Sequence, residues 1–383
     1  TPPSRPGIPL LTVETPELAL AINKKTVRFL NMSVNNQSAT DNLTLTPFMQ
    51  NVQDQPEAIE RFLGYASSKN SIAPLPELLS ASRVIISGMG SSHFTTYPIY
   101  TALIKAGVSV WWVDSSQLLT LLPEIITPGT MLWLTSQSGE SGETLQIIDR
   151  ISKEIYVVGV TNNVRSALAN RANTLIELNS GDEATVSTKS YLNSVLVARI
   201  VAGEISKNRL TVMSKLERSG DEVRRYLDNH DRSIQEFSKF GVDRTIQLLG
   251  RGDAAISASA AALILKESAK VPAEGMSAGV FRHGPIEISS QPTSVAIFNH
   301  GRDLDAELNQ DLANELISNG VEVAWIGNQD SAPSGILNIK TSDSLEPLIS
   351  DALAFQTMSF AFAKRKGLEA GKFLVAKKIT QKL

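Results

Sequence analysis

Short apolar segments alternate with helical patterns along most of this chain, and this alternation constrains its fold more than any other feature. Apolar runs with the length and composition of strands lie at 84–86, 108–113, 131–134, 155–160 and 174–178. Residues with helical periodicity lie between or after them, at 92–106, 142–153 and 188–202. Apolar strands separated by helices are typical of a parallel sheet that is covered on both faces.

The alternation begins again after a charged helical connector at 207–239. Predicted strands follow at 245–249, 295–298, 321–326 and 336–339, with predicted helices at 254–270, 303–319 and 347–365. We therefore predict an α/β protein with two similar lobes, each a mostly parallel sheet flanked by helices. The predicted organisation is an N-terminal extension or linker at 1–45, a first domain at 46–225 and a second domain at 226–383.

The N-terminal segment differs from the rest of the chain. Four prolines within the first nine residues oppose early helix formation, and 35–42 is polar and without periodicity. In one interpretation Met32 is the natural start and 1–31 is an upstream extension. In the other, the segment is an ordinary flexible arm.

The composition excludes several functional classes. The net charge is -3 and no basic run is present, so a nucleic-acid partner is not indicated. The absence of cysteine excludes disulfides, thiolate nucleophiles and Cys-based zinc sites, and four histidines do not favour a His-rich metal site. Without an apolar run of membrane-spanning length or a signal-peptide pattern, we expect a soluble, cytoplasmic protein with no membrane partner.

Three polar segments follow predicted strands or precede predicted helices of the first lobe. They are GMGSS at 88–92, TSQSGESGET at 135–144 and TVSTK at 185–189. Main-chain N–H groups at helix N-termini and small hydroxyl side chains bind phosphate without a lysine. Glycine lets such a loop turn sharply and approach the ligand. We therefore predict a phosphate site at the carboxyl edge of the first sheet.

Two other interpretations of these segments are weaker. Ser, Thr and Gly also serve as helix caps and turn residues, which accounts for a single loop better than for three together. A dinucleotide loop requires a third glycine where His93 stands, and an acidic residue at the end of the next strand, which is absent.

Further motifs in the second half complete a resemblance to the sugar-isomerase (SIS) family. They are LGRGD at 249–253, LKE at 265–267, RHGP at 282–285 and the tail LVAKKIT at 374–380. The pattern, from about Pro47 to the C-terminus, is similar to the isomerase half of glucosamine-6-phosphate synthase and to stand-alone SIS-type glucosamine-6-phosphate deaminases. The resemblance implies two flavodoxin-like, three-layer SIS lobes, and a homodimer whose sites are shared between subunits.

The resemblance also implies roles for individual residues. Glu267 is the base that moves a proton between C1 and C2, His283 opens the sugar ring, and Lys377 approaches the C1–C2 region. The residues implied in phosphate or sugar binding are Ser92, Ser136, Gln137, Ser138, Ser141 and Ser187. A base, a ring-opening acid and an ammonium suffice for aldose–ketose isomerisation, so neither a cofactor nor a metal is expected.

One position departs from the family pattern. Aminotransferases and deaminases of the family usually carry a lysine three residues before the catalytic glutamate, where this chain has Ile264. We therefore keep three hypotheses. The first is an isomerase or deaminase acting on an amino- or keto-hexose 6-phosphate. The second is a deglycase acting on a fructosamine- or glucoselysine-type 6-phosphate. The third is a non-catalytic sugar-phosphate-binding regulator.

Overall fold

The computed structural model describes residues 46–122, 124–300, 304–327, 332–342 and 344–380. They contain two five-stranded sheets in which every strand pair is parallel. Helices cover both sheets, so the predicted α/β class with two similar lobes is confirmed. The prediction for Met32 lies outside the described residues. No helix in the described part of the chain has both the length and the apolarity to cross a membrane.

The elements of the first lobe follow in chain order. They are α1 (Pro47–Gln53), α2 (Gln55–Ser67), α3 (Leu75–Ser80), β1 (Arg83–Gly88), α4 (Ser91–Phe94), α5 (Tyr97–Lys105), β2 (Val110–Trp112), α6 (Ser115–Leu121), β3 (Thr130–Thr135), α7 (Gly142–Arg150), β4 (Tyr156–Thr161), α8 (Ala167–Arg171), β5 (Thr174–Glu177) and α9 (Lys189–Ile205).

The predicted connector is helical and the second lobe follows it. These elements are α10 (Arg209–Leu216), α11 (Ser219–Leu227), α12 (Asp231–Lys239), β6 (Thr245–Gly250), α13 (Asp253–Ile264), a π-helical turn (Leu265–Ala269), β7 (Ala273–Ser277), α14 (Ala278–Arg282), a 3₁₀ turn (Pro285–Ser290), β8 (Thr293–Asn299), α15 (Leu304–Ser318), β9 (Glu322–Gly327), β10 (Leu337–Lys340) and α16 (Pro347–Arg365). The proposed domain boundary at 225 falls inside α11, and the division into domains stays a prediction.

Both sheets have the same strand order. The first runs β2-β1-β3-β4-β5, and the second runs β7-β6-β8-β9-β10 when read from its opposite edge. In each sheet the order reverses between the first and third strands in sequence. A crevice opens at such a reversal, beyond the carboxyl ends of the two strands, and ligands of α/β proteins bind there.

Two long helices with apolar residues on every side join the lobes. α9 is buried along nearly its whole length, and so is α16. A helix without a polar face belongs in a core. Both contribute to one apolar cluster that also contains strand residues of both sheets. The two lobes therefore share a core.

Several local predictions were wrong or incomplete. The helical periodicity of 47–66 predicts one helix, but the structure has two, which meet at Asp54. The helix predicted at 92–106 is likewise divided, into α4 and α5. The helix predicted at 254–270 leaves α-helical geometry at Leu265 and continues as the π-helical turn. β7 was not predicted, because its sequence, AEGMS, contains no β-branched or aromatic residue.

An ion-pair cluster occupies the carboxyl edge of the second sheet. Arg199 of α9 donates hydrogen bonds to Asp253, the first residue of α13, and to Glu346, which precedes α16. Asp253 has the position in the second lobe that Ser91 has in the first, and Glu346 has the position of Thr188. Burial lowers the pKa of Arg199, but the two carboxylates raise it by more, so the guanidinium stays charged. The second lobe thus uses this edge for a contact between lobes.

We expect the substitution Arg199→Met to lower the free energy of unfolding by about 3 kcal/mol, because it leaves the shielded carboxylate of Glu346 and the partly exposed one of Asp253 without a counter-charge. Urea denaturation measures the loss. The control is Arg224→Met. Its guanidinium pairs with Glu57 and Glu60 on the surface, and about 1 kcal/mol or less is expected there. Equal losses in the two variants would contradict a structural role for the buried cluster.

Candidate active site

The carboxyl ends of β1 and β3 lie side by side. Gly88 pairs with Thr135, and a Cβ atom added at Gly88 would lie 2.9 Å from the Thr135 carbonyl oxygen. Glycine is therefore needed for this approach. After β1 the chain enters α4, which contains Ser92. After β3 it enters the loop at 136–141, which begins with Ser136. The first two predicted ligand segments thus meet where the strand order reverses.

The loop at 136–141 depends on a left-handed turn at Gly139. This residue has φ of +66°, and an added Cβ atom would lie 2.1 Å from the Ser166 hydroxyl oxygen. Ser136 is buried, and its N–H donates to the carbonyl oxygen of Val160 at 3.0 Å. The Gly139 N–H donates a hydrogen bond to the Ser136 hydroxyl oxygen at 3.2 Å. The turn is thereby fixed between β3 and the loop after β4.

This loop leaves several donors unused. Within the described residues, the main-chain N–H groups of Gln137, Ser138 and Ser141 donate no hydrogen bond. Ser141 precedes the first turn of α7, and its hydroxyl lies 2.8 Å from that of Thr144. Unpaired amides beside a helix N-terminus attract an anion. The predicted loop therefore has the donors that a phosphate group requires.

Asn162, on the loop after β4, connects the 136–141 loop to the stretch that leads into the third predicted segment, at 185–189. Its main-chain N–H donates to the Gln137 carbonyl oxygen at 3.0 Å, and its side-chain oxygen accepts from Ser180 at 2.7 Å. The chain continues to Ser187, which is half-buried, at the start of α9. The predicted binding residues of the first lobe are thus on neighbouring loops.

The carboxylate of Glu183, two residues before the third segment, caps the N-terminus of α9. It accepts hydrogen bonds from the main-chain N–H groups of Thr188 and Ser190, at 2.8 and 3.1 Å, and from both hydroxyls. Glu183 was not predicted as a site residue. An acidic residue shortly before a predicted helix start was the available signal.

A cavity of about 830 Å³ opens between these loops, within the size range of small-molecule sites. Gln137 and Ser138 line it, and Ser136 and Ser141 flank them in the loop. The C-terminal tail forms another part of the wall through Lys378 and Ile379.

The tail is held at both ends of its path across the site. The Gly371 N–H donates to the Ser268 carbonyl oxygen at 3.3 Å, and the Gly142 N–H at the start of α7 donates to that of Thr380 at 2.9 Å. Between these points the predicted catalytic Lys377 is exposed, whereas Lys378 lines the cavity. Lys378 was not predicted as a site residue, because the resemblance implied a role for Lys377 and the sequence does not indicate which lysine faces the cavity.

Glu267 lies in the π-helical turn, one residue before the tail contact at Ser268. The side chain is half-buried, and burial raises the pKa of Glu267, while Lys270 and Lys266 oppose that shift. Single turns of π-helix inside α-helices occur frequently at functional sites. Glu267 therefore has the environment of a carboxyl group that takes up a proton more readily than an exposed one.

His283 lies on the other side of the second sheet. It is exposed at the end of α14, whose Phe281 packs with Leu249. The segment that carries Glu267 packs with Leu248, on the opposite face, because successive strand residues point to opposite sides. The structure therefore does not bring the predicted base and the predicted ring-opening residue together within one chain.

His93 and Ile264 belong to the interior. His93 is buried against Trp112 with ring centroids 4.0 Å apart, and burial lowers the pKa of His93 to about 4. Ile264 packs in the shared core. The position where the family usually has a lysine thus contributes no charge.

The fold described here is that of the SIS phosphosugar isomerases, as the motifs predicted. The structure of the C-terminal domain of glucosamine-fructose-6-phosphate aminotransferase from Francisella tularensis matches with a TM-score of 0.77 at 18% identity, over 88% of this chain and 100% of that one. The glucosamine-6-phosphate deaminase from Thermotoga maritima matches with a TM-score of 0.69 at 19% identity, over 88% of this chain and 99% of that one.

Sequence comparison gives the same resemblance. The glutamine–fructose-6-phosphate aminotransferase of Sulfurisphaera tokodaii is 24% identical over 329 residues, which cover 85% of this chain and 54% of that protein. The chain spans about half the length of the curated relatives it matches. No family model matches the chain.

We expect Gly139→Ala to abolish measurable binding of inorganic phosphate, because the added methyl group both clashes with Ser166 and strains a left-handed residue. The control is Gly107→Ala. Gly107 has φ of +79° and nothing within 4 Å of an added Cβ atom, so it adds the strain without the clash. Calorimetric titration measures binding. Unchanged affinity in Gly139→Ala would contradict the role of this turn.

Proposed function

We propose that this chain is a sugar-phosphate isomerase or aminosugar-phosphate deaminase acting on an amino- or keto-hexose 6-phosphate. The observation that carries the proposal is the set of unpaired N–H groups at Gln137, Ser138 and Ser141, at the strand-order reversal. They form a site for a dianion beside a cavity of about 830 Å³. The relatives whose names include fructose 6-phosphate and glucosamine 6-phosphate support this substrate class.

Proton transfer is assigned to Glu267. Isomerisation requires a base that removes a proton from one carbon and returns it to the neighbouring carbon. A carboxylate with a raised pKa is a better base than an exposed one, and it also holds the proton long enough to return it. The tail contact at Ser268 and the further contact of Thr380 with Gly142 connect this residue to the phosphate loop.

Ring opening is assigned to His283 of a second copy of the chain. The exposed position of His283 and its place on the opposite face of the second sheet from Glu267 support a site shared between subunits. An imidazole donates and accepts protons near neutral pH. A closed homodimer supplies two such sites by symmetry.

The deglycase alternative is favoured by Ile264. The buried isoleucine supplies no ammonium where the family usually has one. A substrate with a bulkier amino substituent, such as a fructosamine 6-phosphate, is compatible with the cavity volume. Ammonia released from glucosamine 6-phosphate supports the deaminase, and an amino acid released from a fructosamine phosphate supports the deglycase. Binding without either reaction, and without isomerisation, supports the regulator.

We expect Glu267→Gln to lower kcat by roughly a hundredfold or more, because general acid–base catalysis contributes effects of that size, while the Kd of fructose 6-phosphate changes little. Because burial raises the pKa of Glu267, the wild-type rate should fall on acidification at a higher pH than an exposed glutamate would cause. Product assays at fixed times across pH measure kcat and its pH dependence, and calorimetric titration measures the Kd. Turnover retained in Glu267→Gln would remove this residue from the mechanism.

A mixing experiment tests the shared site. Glu267→Gln and His283→Asn should each be inactive alone. Refolding equal amounts together should restore about a quarter of the wild-type activity, because half of the dimers are mixed and each mixed dimer has one complete site. A chain with both substitutions, mixed with either single variant, should restore none. Absence of recovery in the first mixture would contradict a site built from two subunits.

A further inference from the structure

Two cationic side chains line the cavity beside the phosphate loop, Arg165 and Lys378. Arg165 is exposed on the loop after β4. The Lys378 ammonium is different, since its nitrogen is buried and has no hydrogen-bond partner among the described residues. Its side chain as a whole is 27% exposed. The tail thus delivers a buried cation to the wall of the cavity.

The nearest anion does not satisfy this ammonium. The Nζ atom of Lys378 lies 3.8 Å from the Oε2 atom of Glu183, which is beyond hydrogen-bond distance. The same oxygen accepts a hydrogen bond from the Ser190 hydroxyl at 2.7 Å, and Oε1 accepts from Thr188 and Ser190. Glu183 is engaged by the start of α9, so the three donors of the ammonium remain available.

A buried ammonium without a hydrogen bond is costly, and the cost disappears when an anionic ligand accepts from it. Burial lowers the pKa of Lys378, while Glu183 opposes this shift. The other donors at the cavity, the N–H groups of Gln137 and Ser138, are neutral. Apart from Lys378, the exposed Arg165 is the cation among the residues that line the cavity, so a phosphate dianion at the loop would otherwise have no buried positive charge beside it.

We propose that Lys378 binds the substrate, with its ammonium donating to the phosphoryl group held by the 136–141 loop. This inference rests on the proposed function, in which the cavity takes a hexose 6-phosphate. Lys377 is exposed between the two ends of the tail. In this arrangement the ammonium adds a positive charge to the neutral donors of the loop and connects the tail to the bound substrate.

The test compares Lys378→Met with Lys377→Met by calorimetric titration of fructose 6-phosphate and of inorganic phosphate. A hydrogen bond to a charged group contributes about 1.5–3 kcal/mol, so Lys378→Met should weaken the binding of both ligands roughly ten- to a hundredfold. Lys377→Met should leave the affinity for inorganic phosphate within about twofold. Lys378→Arg keeps a cation and should retain most of the affinity, which separates the effect of charge from loss of tail structure.

Three results would overturn the inference. One is weakened phosphate binding in Lys377→Met with unchanged binding in Lys378→Met. Another is equal weakening in both, since that indicates a general effect of tail charge. A third is weakened binding of fructose 6-phosphate alone in Lys378→Met, since the contact would then be to the sugar. If the wild-type protein bound neither ligand, the proposed function would fail as well, and this outcome is distinct from the other three.

Discussion

The left-handed turn at Gly139 is the constraint on which the candidate site depends. It allows the chain leaving β3 to pack against Ser166 and still enter α7 within a few residues. Any side chain at this position would push the loop away from the loop after β4. The unpaired N–H groups of Gln137 and Ser138 would then be displaced. The anion site is therefore a property of the backbone, and hydroxyl side chains add to it.

Much of the fold was predictable from the sequence because apolar strands and amphipathic or apolar helices have different periods. The predicted helix at 347–365 coincides with α16, and the strands of the first lobe were placed within a few residues. β7 was not predicted, because its pairing with β6 makes it a strand and its own composition does not. The π-helical turn around Glu267 depends on tertiary packing, and no local pattern indicates it.

The candidate site was predictable to the level of loops. Motifs identified the segments that reach the carboxyl edge of the first sheet, since that edge follows from strand order. Which side chain of a pair faces inward, as with Lys377 and Lys378, depends on the path of the tail between Ser268 and Gly142. The separation of Glu267 and His283 by a sheet depends on tertiary structure, which their spacing along the chain does not specify.

The two lobes have one strand order and opposite chemistry at the equivalent edge. In the first, small polar residues leave donors open to an anion. In the second, Arg199 forms ion pairs with Asp253 and Glu346. Because the same scaffold occurs twice in one polypeptide, the two copies can have different roles. In one copy, this edge of the sheet holds the two lobes together. The other copy is then free to change its loops during evolution, and new substrate preferences can arise there without dismantling the whole.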